Sequence, residues 1–104
     1  MNTIIGETTD DELLKEIGGR LRAYRLQQNQ TVASVAERAG VNANTVLNVE
    51  AGKNPRLLTI LRLLRVYGRL DAVNAFLPAP QISPLQLAKQ KGRVRQRARS
   101  SKDG

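Results

Sequence analysis

The sequence contains no cysteine, histidine or tryptophan, and it has only one phenylalanine and two tyrosines among 104 residues. Without cysteine there is no disulfide or thiolate, and without histidine the usual zinc ligands and general bases are missing as well. The dense acids Asp10, Asp11 and Glu12 suit a helix start better than acid and base catalysis. We therefore expect no enzyme, no metal and no cofactor, and a core of aliphatic side chains.

Long apolar runs are also missing. No stretch approaches the roughly 20 apolar residues that cross a bilayer, and the acidic N-terminus does not have the basic and apolar regions of a signal peptide. We expect no membrane partner and a cytoplasmic location. A chain of this length has room for one domain with a modest core and a tail.

Positive charge is concentrated at the C-terminal end. The net charge is +8, and residues 89–104 hold seven basic groups against Asp103, which gives +6 there and leaves +2 for residues 1–88. A phosphate-rich partner is the first candidate for such an excess, although an anionic protein surface would fit too.

Apolar residues recur at helical spacing, and no alternating strand pattern or internal repeat appears. A stripe that includes Leu21 predicts a first helix over about 10–28. Thr31 suits the start of a second helix and Gly40 its end, and a third helix follows. The inner positions of this pair are small or branched: Val32, Val35, Ala36, Ala39, Val41, Val46 and Val49. A fourth helix is predicted from Leu57, Ile60, Leu61 and Leu64, and a short fifth over residues 70–78.

Three segments follow from these patterns. Residues 1–9 are interpreted as a flexible lead, residues 10–78 as one helical domain, and residues 79–104 as a basic, partly disordered extension. Within the extension, Ser83 as N-cap and Pro84 at the first helical position predict a short helix near 84–91.

Three asparagines, Asn42, Asn44 and Asn48, lie within seven residues although asparagine is unfavourable inside a helix. With Val46 and Val49 turned inward, Asn44 and Asn48 share the outer face. An asparagine amide can bond an adenine edge bidentately in the major groove, which is worth about 1–3 kcal/mol of base discrimination. We predict such a contact for Asn44 or Asn48, the alternative being an exposed polar face, whereas Asn42 fits the N-cap position.

Two short helices joined by a glycine turn are typical of a helix-turn-helix. With "IGGRLRAYRLQQNQT" before them and "EAGKNP" after them, residues 13–77 resemble the Cro/CI-type (XRE) helix-turn-helix family. The resemblance implies an all-α, five-helix, lambda-repressor-like domain. It also implies a homodimer that binds palindromic half-sites of double-stranded operator DNA, with the third helix in the major groove.

The resemblance extends to single positions. It implies DNA base contacts by Ala43, Asn44 and Asn48. Phosphate contacts are predicted for Thr31, Asn42, Thr45, Lys53 and Arg56. Thr45 could instead bond back to its own helix. Val32 stands where the family usually has glutamine, and Ala43 replaces a larger polar residue, so we expect affinity to depend more on charge.

Arg25 and Glu50 match a structural ion pair that bridges the first and third helices in this family. The alternative is two solvated charges. If the pair is partly buried, removing Glu50 alone should cost several kcal/mol. Arg62, Arg65 and Arg69 also share a helical face, for which solvation is the ordinary explanation.

The fifth helix and the extension suggest further partners. A dimer interface is predicted for Leu70, Val73, Phe76 and Leu77, the alternative being that they complete the monomer core. The extension Ser83–Lys102 resembles HipB-type antitoxins, which repress their own operon and bind a HipA-like kinase toxin. Three roles stay open for Arg93, Arg95, Arg97 and Arg99: nucleic-acid contact, contact with an acidic toxin surface, or solubility.

These features favour a bacterial, sequence-specific transcriptional repressor that is nucleoid-associated when bound, as the autoregulating antitoxin of a HipA-type toxin-antitoxin operon. One alternative is a stand-alone phage-type or controller-type XRE regulator. Another is an interaction protein that mainly neutralises a partner enzyme, and a third is a sequence-blind basic nucleic-acid binder.

Overall fold

The computed structural model describes residues 3–81, 83–86 and 88–89, and all regular structure within them is helical. Five helices come first: α1 (Asp10–Gln27), α2 (Val32–Ala39), α3 (Ala43–Glu50), α4 (Leu57–Val66) and α5 (Ala72–Phe76). Residues 84–86 and 88–89 form a further helical segment. No helix in the described part of the chain has both the length and the apolar character needed to cross a membrane.

Polar side chains define where the first three helices begin. Thr9, Thr31 and Asn42 each have extended backbone and accept a hydrogen bond from the backbone N–H three residues later. Such a bond satisfies one of the donors that a helix start leaves unpaired. In the extension, Ser83 Oγ accepts from Gln86 N at 3.2 Å while Gln86 Oε1 accepts from Ser83 N at 3.2 Å, the reciprocal pattern of a capping box.

The turn between α2 and α3 depends on a left-handed residue. Gly40 has φ of 72° and ψ of 32°, which costs glycine little and an L side chain more. Its N–H bonds to Glu37 O at 3.2 Å, and Val41 N–H bonds to Ala36 O at 3.0 Å. These two bonds form a Schellman motif, which stops α2 and reverses the chain into α3.

One small core joins the first four helices. α3 packs against α1 and α2, and α4 packs against α2. The buried hydrophobic residues are Leu21, Val35, Ala36, Ala39, Val46, Val49, Leu63 and Tyr67. The core is therefore aliphatic apart from Tyr67. Val41 lies in the turn before α3 and packs against this core while partly buried.

The inner face of α4 is not the side that begins with Leu57. Leu63 is fully buried with 0% exposure, whereas Leu57 is 59% exposed. The two residues are six positions apart, which places them about 120° apart around the helix axis. Leucines occur on several sides of α4, so periodicity alone does not identify the buried side.

Glycines allow α1 to approach the end of α3 closely. A Cβ on Gly18 would meet the carbonyl oxygens of Val49 and Glu50, the latter at 2.7 Å. Gly52 has φ of 78°, and a Cβ there would lie 2.8 Å from the backbone nitrogen of Lys15. Because backbone atoms block both positions, neither can accept a side chain without moving α1 away from the end of α3 or from the turn that follows it.

Candidate nucleic-acid interface

The α3 helix turns its valines inward and its amides outward. Val46 and Val49 are buried, while Asn44 and Asn48 are exposed on one face, one turn apart. The outer face also carries Ala43 and Leu47, both exposed. This face is not used by the protein's own core and is available to a partner.

The start of α3 is held by two side chains that were predicted to contact phosphate. Asn42 Oδ1 accepts from Thr45 N at 2.8 Å and from Thr45 Oγ1 at 2.9 Å. The Thr45 hydroxyl thus bonds back to its own helix start. Since Oδ1 carries both bonds, the Nδ2 group of Asn42 stays available as a donor toward a phosphate.

An open groove of about 930 Å³ brings five of the predicted DNA-contact residues together. It lies between α3 and the start of α4, and the predicted residues on its wall are Asn42, Thr45, Asn48, Lys53 and Arg56. Thr31, Ala43 and Asn44 do not line it. Ala43 and Asn44 lie on the exposed face of α3, and Thr31 lies at the start of α2.

Arg62 belongs to the same surface, although the sequence favoured simple solvation for it. It lines this groove and also a smaller depression shared with Arg38 and Arg65. A cationic surface therefore continues from Lys53 and Arg56 along α4. The sequence shows that Arg62 and Arg65 share one side of a helix, but only the tertiary fold shows that Arg62 adjoins α3.

An ion pair behind the groove fixes α3 to α1. Arg25 Nε lies 2.8 Å from Glu50 Oε2 and Arg25 Nη2 lies 3.0 Å from Glu50 Oε1, a bidentate arrangement. Arg25 Nη1 also donates to Gln30 O at 3.2 Å. The hydrogen bond to Glu50 raises the pKa of Arg25, against an opposing effect of burial. The pair therefore joins α1, α3 and the loop before α2.

Tyr67 is a buried neighbour of this pair and was not identified from the sequence. Its hydroxyl has no hydrogen-bond partner among the described residues, and its ring is tilted against Tyr24 with centroids 6.2 Å apart. Burial raises the pKa of Tyr67 to about 12, and the nearby Glu50 carboxylate adds to this increase. Gln28 Nε2 donates to the Tyr67 carbonyl at 2.9 Å, which joins the end of α1 to the end of α4.

The predicted dimer residues form an apolar surface around α5. Phe76 is 69% and Leu77 is 74% exposed, Leu70 is also exposed, and Val73 is partly buried. Phe76 and Leu77 therefore do not complete the core of their own protomer, as the alternative interpretation required. The four tail arginines, Arg93, Arg95, Arg97 and Arg99, lie outside the described residues.

Two short helices around a left-handed glycine turn, the second with a polar outer face, define a helix-turn-helix. A family model described as a helix-turn-helix domain matches residues 16–76, more than half of the chain. The chain therefore belongs to the helix-turn-helix domain family, within its XRE-type class, and carries a DNA-binding domain. This match confirms the predicted class. The comparison with curated proteins gives no match.

Proposed function

We propose that this protein is a homodimeric transcriptional repressor that reads operator DNA with the outer face of α3. The observation that carries the proposal is the orientation of α3, whose valines are buried while Asn44 and Asn48 are exposed beside a cationic groove. Amides on an exposed helix can reach base edges, and the flanking cations can bind the phosphate backbone.

Different residues contact the DNA bases and the DNA phosphate backbone. Asn44 and Asn48 discriminate bases, whereas Lys53 and Arg56 neutralise phosphates at the rim of the groove. Thr45 acts mainly through Asn42, because its hydroxyl donates to Asn42 Oδ1. Arg62 adds a further phosphate contact on the α4 side of the same groove.

A dimer through α5 would provide the two copies of α3 that an operator with two half-sites requires. The apolar surface of Leu70, Phe76 and Leu77 is exposed in the protomer, and a two-fold contact would cover it on both copies. Two α3 helices could then enter successive major grooves about 34 Å apart. An operator occupied in this way would be unavailable to polymerase, which is the basis for the proposed repression.

The test is selection of bound duplexes from a random DNA library, followed by titration at several salt concentrations. Wild-type protein is expected to select a palindrome with two equivalent half-sites. Asn48→Ala should relax one position in each half-site and leave the salt dependence almost unchanged. Lys53→Ala should weaken all sequences equally and lower the salt slope by about 1 per protomer.

Matched controls come from the exposed side of α1. Gln27→Ala removes an exposed amide and Arg22→Ala an exposed charge, both outside the groove. Neither should change the selected sequence. If wild-type protein selected no sequence, or if Gln27→Ala relaxed the readout as much as Asn48→Ala, the proposal would be wrong.

The dimer is tested separately by sedimentation equilibrium. Phe76→Asp places a charge in the exposed apolar surface and should give a monomer whose circular dichroism is unchanged, because Phe76 adds nothing to the protomer core. A variant that stays dimeric would place the two-fold contact elsewhere.

The antitoxin role is a finer proposal that depends on the extension beyond the domain. Its support is the resemblance of Ser83–Lys102 to HipB-type antitoxins, and the capping box between Ser83 and Gln86 gives this segment a defined helix start. The test combines a pull-down of the neighbouring gene's product with a gel shift on the selected operator. Capture without operator binding would favour the enzyme-neutralising alternative.

A further inference from the structure

The outer face of α3 carries an apolar strip beside its amides. Ala43, Leu47 and Ala51 are all exposed and follow each other at intervals of four residues, so they lie in one row along the helix. Asn44 and Asn48 form a parallel row next to it. Taking about 100° per residue, Leu47 lies about 60° from Asn44, near the centre of the exposed arc.

A single exposed leucine is ordinary on a protein surface. Leu47 differs because it is the largest apolar side chain on the outer face of α3, it is 49% exposed, and its neighbours along the strip are both alanine. Ala43 and Ala51 have side chains too short to cover it. Leu47 therefore projects beyond the strip, between two small residues and beside two amides.

This arrangement is complementary to the major-groove edge of an A·T pair. Such a pair presents the adenine N7 acceptor and N6 donor on one base and the thymine C5 methyl group on the other. An asparagine amide matches the adenine part, and an apolar side chain matches the methyl group. No other base pair offers both features.

We propose that Leu47 is a specificity-determining residue that packs against a thymine methyl group in each half-site, next to an adenine bound by Asn44 or Asn48. The inference rests on the proposed function and deepens it, since it assigns an A·T pair to each half-site. Lys53 and Arg56 favour DNA as the occupant of this face over an apolar protein surface, because they line the same groove as Asn48, the residue that follows Leu47 on the outer face of α3.

The test replaces thymidine with deoxyuridine, one position at a time, in the operator selected by the wild-type protein. This change removes the C5 methyl group and leaves base pairing intact. Burial of one methyl group corresponds to about a fourfold change in affinity, so wild-type protein should lose about fourfold at one position in a half-site and about fifteenfold when both half-sites are substituted.

Leu47→Ala should bind the thymidine and deoxyuridine operators equally at that position and keep wild-type sensitivity at all others. Leu47→Met keeps an apolar side chain of similar volume and should retain most of the discrimination. The matched control is Leu26→Ala, because Leu26 is 48% exposed but lies on α1. It should behave as wild type. Circular dichroism checks that each variant is folded.

The outcomes separate this inference from the proposed function. If the protein selects no sequence, the proposed function fails first. If it selects a palindrome but deoxyuridine has no effect at any position, or if Leu47→Ala keeps the full deoxyuridine penalty, then Leu47 does not contact a methyl group and the inference is overturned. In that case Asn44 and Asn48 could still read the operator.

Discussion

Replacing Glu50 with glutamine would leave the Arg25 guanidinium buried without its counter-charge. The side chains of Arg25 and Glu50 are only 11% and 6% exposed, so solvent cannot replace the lost partner. Two charge-assisted hydrogen bonds of 2.8 and 3.0 Å would be lost or weakened, and the bond from Arg25 to Gln30 O at 3.2 Å would remain. Removing one member of a buried pair costs about 3–5 kcal/mol.

That loss is large for a domain of this size. At roughly 0.05–0.15 kcal/mol per residue, a domain of about 65 residues has a total unfolding free energy of about 3–10 kcal/mol. Glu50→Gln should therefore lose a large share of the stability in urea unfolding followed by circular dichroism. Arg25→Met should cost a similar amount, because it leaves a buried carboxylate without a partner.

A double-mutant cycle gives the decisive measurement. The variant with both Arg25→Met and Glu50→Gln contains no orphaned charge, so its loss should be smaller than the sum of the two single losses by at least 2 kcal/mol. Arg22→Met, which is exposed on α1, is the control and should change stability by less than about 0.5 kcal/mol. Additive single losses below about 1 kcal/mol would show that the pair behaves as two solvated charges.

Three further predictions concern other parts of the fold. The pKa of Tyr67 is raised from 10.0 to about 12, so the folded state favours the neutral phenol. The contribution of Tyr67 to stability should therefore be constant below pH 10 and fall by about 2 kcal/mol as the pH rises to 12. In urea unfolding at several pH values, Tyr67→Phe should show no such fall. The substitution should cost little stability at pH 7, because the hydroxyl has no hydrogen-bond partner among the described residues. A pH profile unchanged from that of the wild type would refute this reasoning. Gly18→Ala should lower the free energy of unfolding by about 1–3 kcal/mol, because the added methyl group forces α1 away from α3. Gly19→Ala has nothing within 4 Å of the new Cβ and should raise it by about 0.5–1 kcal/mol. Thermal melts that gave the same sign for both variants would contradict the close contact. If Arg62 binds a phosphate, Arg62→Ala should lower the salt slope of DNA binding by about 1 per protomer without altering the selected sequence. An unchanged slope would show that Arg62 is only a solvated surface charge.

Local signals made much of the fold predictable. The starts of α2 and α3 depend on Thr31 and Asn42, which bond to the backbone three residues later, and the turn depends on Gly40. Each of these signals lies within one turn of the element that it defines. The exposed face of α3 was predictable for the same reason, because Val46 and Val49 are three residues apart on one side of the helix.

Features that depend on distant segments could not be predicted in this way. Leucine occurs around most of α4, so the sequence did not distinguish the buried Leu63 from the exposed Leu57. Helix propensity treats Gly18 and Gly19 alike, yet only Gly18 lies against the end of α3. Arg62 was missed as a groove residue because its closeness to α3 arises from packing rather than from sequence spacing.

The contact of Gly18 with the end of α3 has a consequence for how binding preference can change. Because main-chain atoms of α1 and α3 set that contact, the angle of the recognition helix does not depend on which side chains point outward. Ala43, Asn44, Leu47 and Asn48 are therefore free to be exchanged as a set, and a small library at these four positions should yield variants with altered DNA preference on an unchanged scaffold.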